Sequence, residues 1–512
     1  MMNAELLNPA HWLQNRARLQ PDVDCIVFWL DEDASEHWTY QALLNASIAL
    51  ASEMLSRGVK AGDRVAYMDF NDVRYAITMF AMARMGAIFV PINFRLSPAE
   101  VLSQVRDCEP SVFIYGGDFL SVCDSLAAEC SNIFLIESNR HHSDLFGQFV
   151  NNMSRDELPI YESPADHPAW LMYTSGSTGH PKAVIHTYSN LFWNTINMVL
   201  LQGGFASDRV LISAPLFHVA PASTFMDAFL RGACTHLERS FDAVKILNRV
   251  QQQKITLVAG VPAMYKMMAA APNFSTVDLS SLRAILVGGA PVPEALIAMY
   301  HERDVAVIHR YGLTEVTSLA TAISPTAPAS KQMTAGLPPL FSELRITNSD
   351  GSLVGTGEIG QIEIKGPHVT PGYWNNEQET FAVIQNGWLR TGDLGRCDAE
   401  HYLSVAGRIK DMIISGGENI YPVEVEARLV ENPSILEAAV IGVPDPKWGE
   451  VVCAVLSIKP NYSTSVPEIL EGLNGRLARY KQPRLIYFKD SLPKNGAGKV
   501  DKLALRREFS SQ

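Results

Sequence analysis

Between residues 174 and 182 the chain reads Thr174-Ser175-Gly176-Ser177-Thr178-Gly179-His180-Pro181-Lys182. Glycines let backbone amides approach a phosphate, hydroxyls add donors and a lysine adds charge, so this run has the makings of an anion cradle. A Walker loop would end in Gly-Lys-Ser/Thr at the start of a helix. Here Pro181, which has no N–H to offer, precedes Lys182 and Ala183 follows it, so that reading fails. A plain Ser/Gly turn is the other alternative.

Four further stretches carry usable chemistry. Tyr311-Gly312-Leu313-Thr314-Glu315 sets an aromatic face, a hydroxyl and a hard carboxylate within five residues. Read alone, it is also an ordinary strand-to-helix turn with a capping Thr. Thr391-Gly392-Asp393 offers a carboxylate able to accept two hydrogen bonds, although Gly and Asp are common turn residues. Gly407–Glu426 (GRIKDMIISGGENIYPVEVE) reads as a strand, a glycine turn and a helix starting at Pro422. Pro493–Lys502 (PKNGAGKVDK) puts Lys499 on a glycine-rich loop, where a lysine acts as a movable point charge; a solvated basic tail is the plainer reading. His218, in Pro215-Leu216-Phe217-His218, is a lone histidine on an apolar stretch, more often a core residue than a ligand.

These residues need a scaffold, and the hydropathy pattern supplies one. Apolar runs at Arg64–Asp69, Ala87–Ile92, Val112–Tyr115, Ile133–Ile136, Ile255–Gly260, Ala284–Gly288 and Val305–His309 alternate with helical patterns such as Asp72–Met85. Strands apolar on both faces and separated by helices predict parallel sheets covered on both sides. Two such blocks, about 40–190 and 191–330, predict an α/β fold of two layered subdomains. Short strands at Leu344–Thr347, Gly360–Lys365 and Tyr402–Val405 predict a small β-rich subdomain. Beyond Gly407 the chain becomes α+β: helix Pro422–Glu431, strands Ala438–Gly442 and Val451–Ile458, helix Val466–Leu477 and strand Arg484–Phe488. The predicted division is a large domain over 1–407 and a small mobile domain over 408–512, with a boundary at Ala406–Lys410.

The 512 residues exceed one ordinary core, and a net charge of −12 disfavours binding to a nucleic-acid backbone. Seven Cys without ligand spacing disfavour a zinc site or disulfide framework. No apolar run reaches the length of a membrane span, and no signal or anchor motif is evident, so a cytoplasmic protein is expected.

Tyr173–Val184 (YTSGSTGHPKAV) resembles the signature loop of the adenylate-forming superfamily of acyl-CoA synthetases, firefly-type luciferases and peptide-synthetase adenylation domains. The four other stretches match in the same order across residues 173–502, with weaker likeness at Trp38–Leu44 and Gly86–Pro91. The resemblance implies an ATP site of Thr174, Ser175, Gly176, Ser177, Thr178, Gly179, Lys182, Gly289, Ala290, Pro291, Tyr311, Gly312, Thr314, Glu315, Asp393, Arg408 and Lys499. In such enzymes the Tyr stacks on adenine, the Thr contacts the α-phosphate and the Glu helps hold Mg2+. The Asp and Arg take the ribose, and the mobile Lys neutralises charge at the α-phosphate. Thr174, His218, Glu315 and Lys499 are the implied catalytic set, and Lys410 falls on the hinge.

The likeness is nearest to halobenzoate-type acyl- and aryl-CoA ligases. It implies an acyl pocket of Asn197, His218, Gly288, Arg310, Thr317 and Ser318, and CoA contacts from Gly416, Gly417, Trp448 and Arg484. Gln482 stands where those enzymes carry an Arg, so the resemblance does not supply that CoA phosphate contact. No carboxylate occurs in Leu216–Ser223, which disfavours an amino-acid substrate. The implied reaction is ATP-dependent acyl-adenylate formation followed by thioester formation, with ATP, Mg2+ and CoA as requirements. Two alternatives stand: an adenylating enzyme loading a carrier protein, and a non-catalytic nucleotide-binding relative. The second would be expected to have lost Lys499 or Glu315. Arg310 could pair with a second carboxylate on the acid, as in malonate-type synthetases; an outward-facing Arg in an ion pair is the plainer reading. The expected partners are the acid, ATP and CoA; a homodimer is the assembly considered.

Overall fold

The computed structural model describes residues 4–130, 132–138, 145–151, 158–174, 181–494 and 499–509. Contacts divide the chain into two compact units. One holds 1–344 and 364–389, the other 345–363 and 390–512.

The larger unit contains two sheets. Strands Phe134–Ser138, Val112–Gly116, Arg64–Met68, Ile88–Pro91, Pro168–Thr174 and Lys182–Thr187 lie in that order in a six-stranded sheet. All pairings are parallel except the last, where Lys182–Thr187 folds back on Pro168–Thr174. An eight-stranded sheet follows the order Thr321–Ala322, Ala306–Tyr311, Ala284–Gly288, Leu257–Gly260, Arg209–Ile212, Cys234–Glu238, Asp24–Trp29, Ser35–Thr39. Its interior is parallel and its two outermost pairings are antiparallel.

One prediction is corrected here. The second α/β block is not confined to 191–330, because the N-terminal strands 24–29 and 35–39 complete its sheet. Asp24–Trp29 is apolar and nearly all buried, and it pairs in parallel with Cys234–Glu238. Neither this strand nor its distant partner is among the strands predicted from hydropathy.

Helix Val73–Met85 shows what binds the two sheets together. It starts on an Asp72 cap, ends at Gly86, and every residue except Arg74 is buried. Its Phe80 meets Phe229 of helix Val219–Arg231 at 4.7 Å, and Tyr40 meets Phe229 at 5.3 Å. These residues belong to one core shared by both sheets. Truncating a ring of this kind costs about 3–5 kcal/mol.

In the smaller unit, Trp388–Cys397 is a long strand flanked by Gly360–Lys365 and Leu403–Arg408. Thr391-Gly392-Asp393 therefore lies inside a strand rather than in a turn. Pairing with Leu403–Arg408 through a bulge at Leu394/Gly395 overrides the local turn propensity. Further on, Ile413–Ser415 and Glu418–Ile420 form a hairpin closed by Gly416-Gly417, at φ +61° and +87°. A two-residue turn of this type needs positive φ at both positions, which glycine alone adopts cheaply. That hairpin, Ile435–Asp445, Gly449–Ile458 and Leu485–Phe488 make a sheet with an apolar core on each face. Among the described residues no helix is long and apolar enough to cross a membrane.

Candidate active site

Most predicted residues of the larger unit fall at the carboxyl ends of its strands, where parallel sheets present their loops. Thr174 closes Pro168–Thr174 opposite Lys182, and its hydroxyl donates to the Lys182 carbonyl at 3.4 Å. Ser175, Gly176, Ser177, Thr178 and Gly179 lie outside the described residues. Lys182 is largely buried; its Nζ pairs with Glu379 at 2.6 Å and sits 5.5 Å over the Tyr373 ring. Tyr373 in turn donates a hydrogen bond from its hydroxyl to Glu315 Oε1 at 2.9 Å. The backbone N–H of Thr370 donates to the Glu315 carbonyl at 2.9 Å. Lys182 and Glu315 are thus brought near one ring by a segment, 370–379, that the sequence did not single out.

Gly288 ends the strand Ala284–Gly288 beside Arg310, and Gly289, Ala290 and Pro291 follow as an exposed loop. Tyr311 ends the next strand, half-buried and paired with Thr321. Gly312 has no room for a side chain, since a Cβ would stand 1.6 Å from the Ser318 carbonyl oxygen. That contact folds the chain back through the short helix Thr314–Val316, leaving Tyr311, Thr314 and Glu315 on one turn. Thr317 and Ser318 both take positive φ, +52° and +103°. The Thr317 hydroxyl is occupied within the protein: it donates to the His368 carbonyl at 2.8 Å and lies 3.2 Å from His186 Nδ1. Burial pushes His186 down to about 3 and His368 to about 4, so both rings are neutral.

His218 caps the helix Val219–Arg231, half-buried, with its ring 4.3 Å from that of Phe217. Its backbone N–H donates to the Pro215 carbonyl at 3.1 Å. Ser223, one turn along, donates to the Thr317 carbonyl at 3.1 Å and ties this helix to the Tyr311 turn. Asn197 is fully buried on helix Tyr188–Gln202; its Oδ1 accepts from the Phe341 N–H at 3.3 Å, while its Nδ2 has no partner among the described residues.

Arg310 does not point outward into a surface ion pair. Both its terminal nitrogens lie 3.4 Å from the Thr224 hydroxyl. Burial lowers its pKa from the ordinary arginine value, against the pull of Tyr265 and Asp227. Asp227 is itself held by Arg231 at 2.9 Å.

In the smaller unit, Asp393 and Arg408 are cross-strand partners joined by an ion pair, Oδ1 to Nε, at 2.9 Å. Lys499 is electrostatically coupled to both. The residue keeps an exposed surface, yet desolvation of the ammonium and the Arg408 cation lower its pKa, with Asp393 opposing. The fold thus pairs Asp393 with Arg408 and sets Lys499, from far along the chain, within their electrostatic reach. The exposed Lys410 lies on a short turn whose carbonyl accepts from Arg506 Nη1 at 3.1 Å, and Asp411 pairs with the same Arg506 at 3.3 Å. Gly416, Trp448 and Arg484 also meet. The guanidinium of Arg484 lies 4.6 Å over the Trp448 ring, and a Cβ on Gly416 would stand 2.7 Å from that ring. Gly417, in the same turn, has open space around it. Gln482 turns its amide to the carbonyls of Leu473 and Leu477 at the end of helix Val466–Leu473, at 3.5 and 3.3 Å.

In the larger unit, an acidic turn and a lysine over an aromatic ring offer chemistry that suits phosphates, base and metal; in the smaller unit, a carboxylate–guanidinium pair offers chemistry that suits a ribose. The family models agree: residues 13–374 match the AMP-binding enzyme family and residues 424–499 the AMP-binding enzyme C-terminal domain. The chain belongs to the AMP-binding enzyme family. This AMP-binding enzyme is 39% identical to the feruloyl-CoA synthase of Amycolatopsis sp over 500 residues, covering 97% of this chain and 98% of that one. It is 38% identical to the indoleacetate–CoA ligase of Aromatoleum aromaticum over 511 residues, covering 98% and 99%. Among solved structures it resembles the o-succinylbenzoate CoA synthetase of Bacillus subtilis in complex with its acyl-adenylate intermediate. The TM-score is 0.87 at 32% identity, with 97% of each chain covered. The AMP-binding enzyme is an acid–thiol ligase that uses ATP with magnesium, and CoA as co-substrate.

Among the described residues no cluster of three His, Cys, Asp or Glu side chains forms. Glu315 is a single hard carboxylate with one oxygen held by Tyr373. A lone carboxylate completed by substrate phosphates and water is a donor set that suits Mg2+.

Proposed function

We propose that this ligase activates an aromatic or arylalkanoic acid, and that the residues described above take the following roles. The observation that carries the acid side is His218 at the N-cap of the 13-residue helix Val219–Arg231, with Phe217 against its ring. A helix N-terminus favours a carboxylate, and an imidazole beside a phenyl ring offers both a donor and an apolar face. The feruloyl and indoleacetate relatives, which act on aryl acids by their names, support this choice over a long alkyl chain.

A carboxylate oxygen of the acid attacks the α-phosphorus of ATP, a P–O bond breaks, and pyrophosphate leaves. Tyr311 offers its ring to adenine, Thr314 its hydroxyl to the α-phosphate, and Asp393 with Arg408 the ribose contacts. Lys182 and Lys499 supply positive charge toward the phosphates as negative charge builds. Bound Mg2+, held by Glu315 together with the phosphates, would contribute further charge neutralisation. In the second half-reaction the CoA thiolate attacks the acyl carbonyl and AMP departs as the leaving group. Trp448 and Arg484 offer a stacking surface for the CoA base, and Gly416-Gly417 a turn past which its thiol arm can run. Residues 408–512 act as the mobile lid, with Lys410 as hinge.

Pyrophosphate release over a panel of carboxylic acids, with mass spectrometry of the acyl-CoA, tests the reading. Release with cinnamate- or indoleacetate-type acids at low concentration is expected. Activity only with long alkyl acids, or release that requires a carrier protein in place of CoA, would sink it.

One observation favours a second reading. Arg310 carries a buried cation whose hydrogen-bond partner is a neutral hydroxyl, while the carboxylate that acts on it electrostatically, Asp227, is committed to Arg231. Such a guanidinium suits an acid with a second carboxylate. Arg310→Gln should then cost diacids at least about tenfold in kcat/KM more than monoacids.

A further inference from the structure

Asn71 lies between the end of strand Arg64–Met68 and Asp72, the cap of helix Val73–Met85, and is 3% exposed. It follows a strand of the six-stranded sheet, but all three of its side-chain bonds go to the strand end and loop at the carboxyl edge of the other sheet. Its Nδ2 donates to the Ala214 carbonyl at 3.0 Å and the Glu238 carbonyl at 3.1 Å. Its Oδ1 accepts from the Leu216 N–H at 2.9 Å. Glu238 ends the strand Cys234–Glu238, and Ala214 and Leu216 follow the adjacent parallel strand Arg209–Ile212. One amide therefore pins the carboxyl ends of two neighbouring strands and grips, on both sides of Pro215, the loop that delivers His218.

The same loop has an apolar anchor reaching the same way. Phe217 meets Phe94 edge-on at 5.1 Å, and Phe94 lies 4.6 Å from Phe70, the residue before Asn71. On its far side, the His218 helix is held by the bond from Ser223 to the Thr317 carbonyl. Among these anchors Asn71 is the polar side chain that grips the loop backbone itself. Both donor hydrogens and the acceptor oxygen are used at short distances, so no isosteric residue can replace it: Asp lacks the donors and Leu lacks everything. Fully satisfied buried amides of this kind fix one arrangement of the backbones around them.

We propose that Asn71 is a positioning residue for the acid subsite: it sets the Ala214–His218 loop across the two sheets and thereby places the His218 ring, without touching the acid. The inference rests on the reading that His218 faces the acid carboxylate. It also assigns the β-strand loop of the six-stranded sheet a part in acid selection separate from nucleotide binding.

The test is a double-mutant cycle on the full chain, with KM for the acid, KM for MgATP and kcat of pyrophosphate release measured for Asn71→Ala, His218→Ala and the pair. Asn71→Ala is expected to lower kcat/KM for the acid by at least about tenfold while KM for MgATP stays within about twofold. In the His218→Ala background the same change should cost less than about threefold, because its route of action is already lost. Equal loss for acid and MgATP, or an undiminished loss in the His218→Ala background, overturns the proposal. His218→Ala with unaltered acid kinetics would instead sink the reading of His218, a distinguishable failure. Asn71→Ser, which keeps a hydroxyl for one of the three bonds, replaces Asn71→Ala in the same cycle and with the same two criteria if the alanine variant does not fold.

Discussion

Tyr373 holds Glu315 by a hydrogen bond of 2.9 Å across 58 residues of sequence, and the same ring lies 5.5 Å below the Lys182 ammonium. A hydrogen bond to a charged group contributes about 1.5–3 kcal/mol. Tyr373→Phe keeps the ring and removes only the hydroxyl. Adenylation should fall about tenfold, with a higher magnesium requirement, while binding of the acid is unchanged. A magnesium titration of pyrophosphate release checks this. An unaltered magnesium dependence would mean that Glu315 needs no such support.

Lys499 should matter to one half-reaction only. Lys499→Ala is expected to reduce acyl-adenylate formation by about 10²–10³-fold, in the range of losing one preorganised charge at a transition state. Thioester formation from separately prepared acyl-adenylate and CoA should stay within about threefold. Equal losses in both halves would contradict the role given to Lys499.

Gly312 tolerates no side chain, because a Cβ would meet the Ser318 carbonyl at 1.6 Å. Gly312→Ala forces the backbone apart at the turn that aligns Tyr311 with Glu315. A cost above about 3 kcal/mol is expected, of the size produced by steric conflict at a constrained backbone. Thermal denaturation together with AMP binding measures it. A folded, nucleotide-binding variant with an unchanged midpoint would refute the tight turn.

Asp69 gives a pH prediction. Burial, and then the neighbouring Asp72, push its carboxyl up to about 7 from an ordinary 3.8. The folded state therefore holds the proton more tightly than the unfolded chain. The stability that this confers is fully present below about pH 4 and is lost as pH rises through about 7. Asp69→Asn should flatten that slope and add about 1–3 kcal/mol at pH 8, given about 1.4 kcal/mol per unit and some residual solvent access. Urea unfolding at pH 5 and pH 8 decides it, and an identical pH slope in the variant would count against it.

Much of the scaffold is legible in the sequence alone. Runs such as Val112–Tyr115 and Ala284–Gly288 are apolar on both faces, which predicts buried parallel strands, and the structure has them within a residue. What escaped was pairing. Nothing in Asp24–Trp29 says that its neighbour is Cys234–Glu238, and Thr391-Gly392-Asp393 looks like a turn until Leu403–Arg408 lies beside it. Tyr373, Asn71 and Arg506 carried no motif; each acts through a single long-range contact that leaves no local pattern.

The chemistry of this protein was written in contiguous runs of residue types: the 174–182 loop, Tyr311–Glu315, Gly407–Glu426 and the loop bearing Lys499. Each run has an ordinary alternative when read alone; it is their ordered resemblance to the adenylate-forming superfamily that implies a nucleotide. Which groups then face one another was decided only by the fold. Asp393 meets Arg408 because two strands pair, Glu315 is aimed by Tyr373 from a distant loop, and the His218 loop is set by an amide on the opposite sheet. The physical reason is that short-range propensity fixes the conformation of a segment, whereas hydrogen bonds and ion pairs between segments depend on where packing carries the chain.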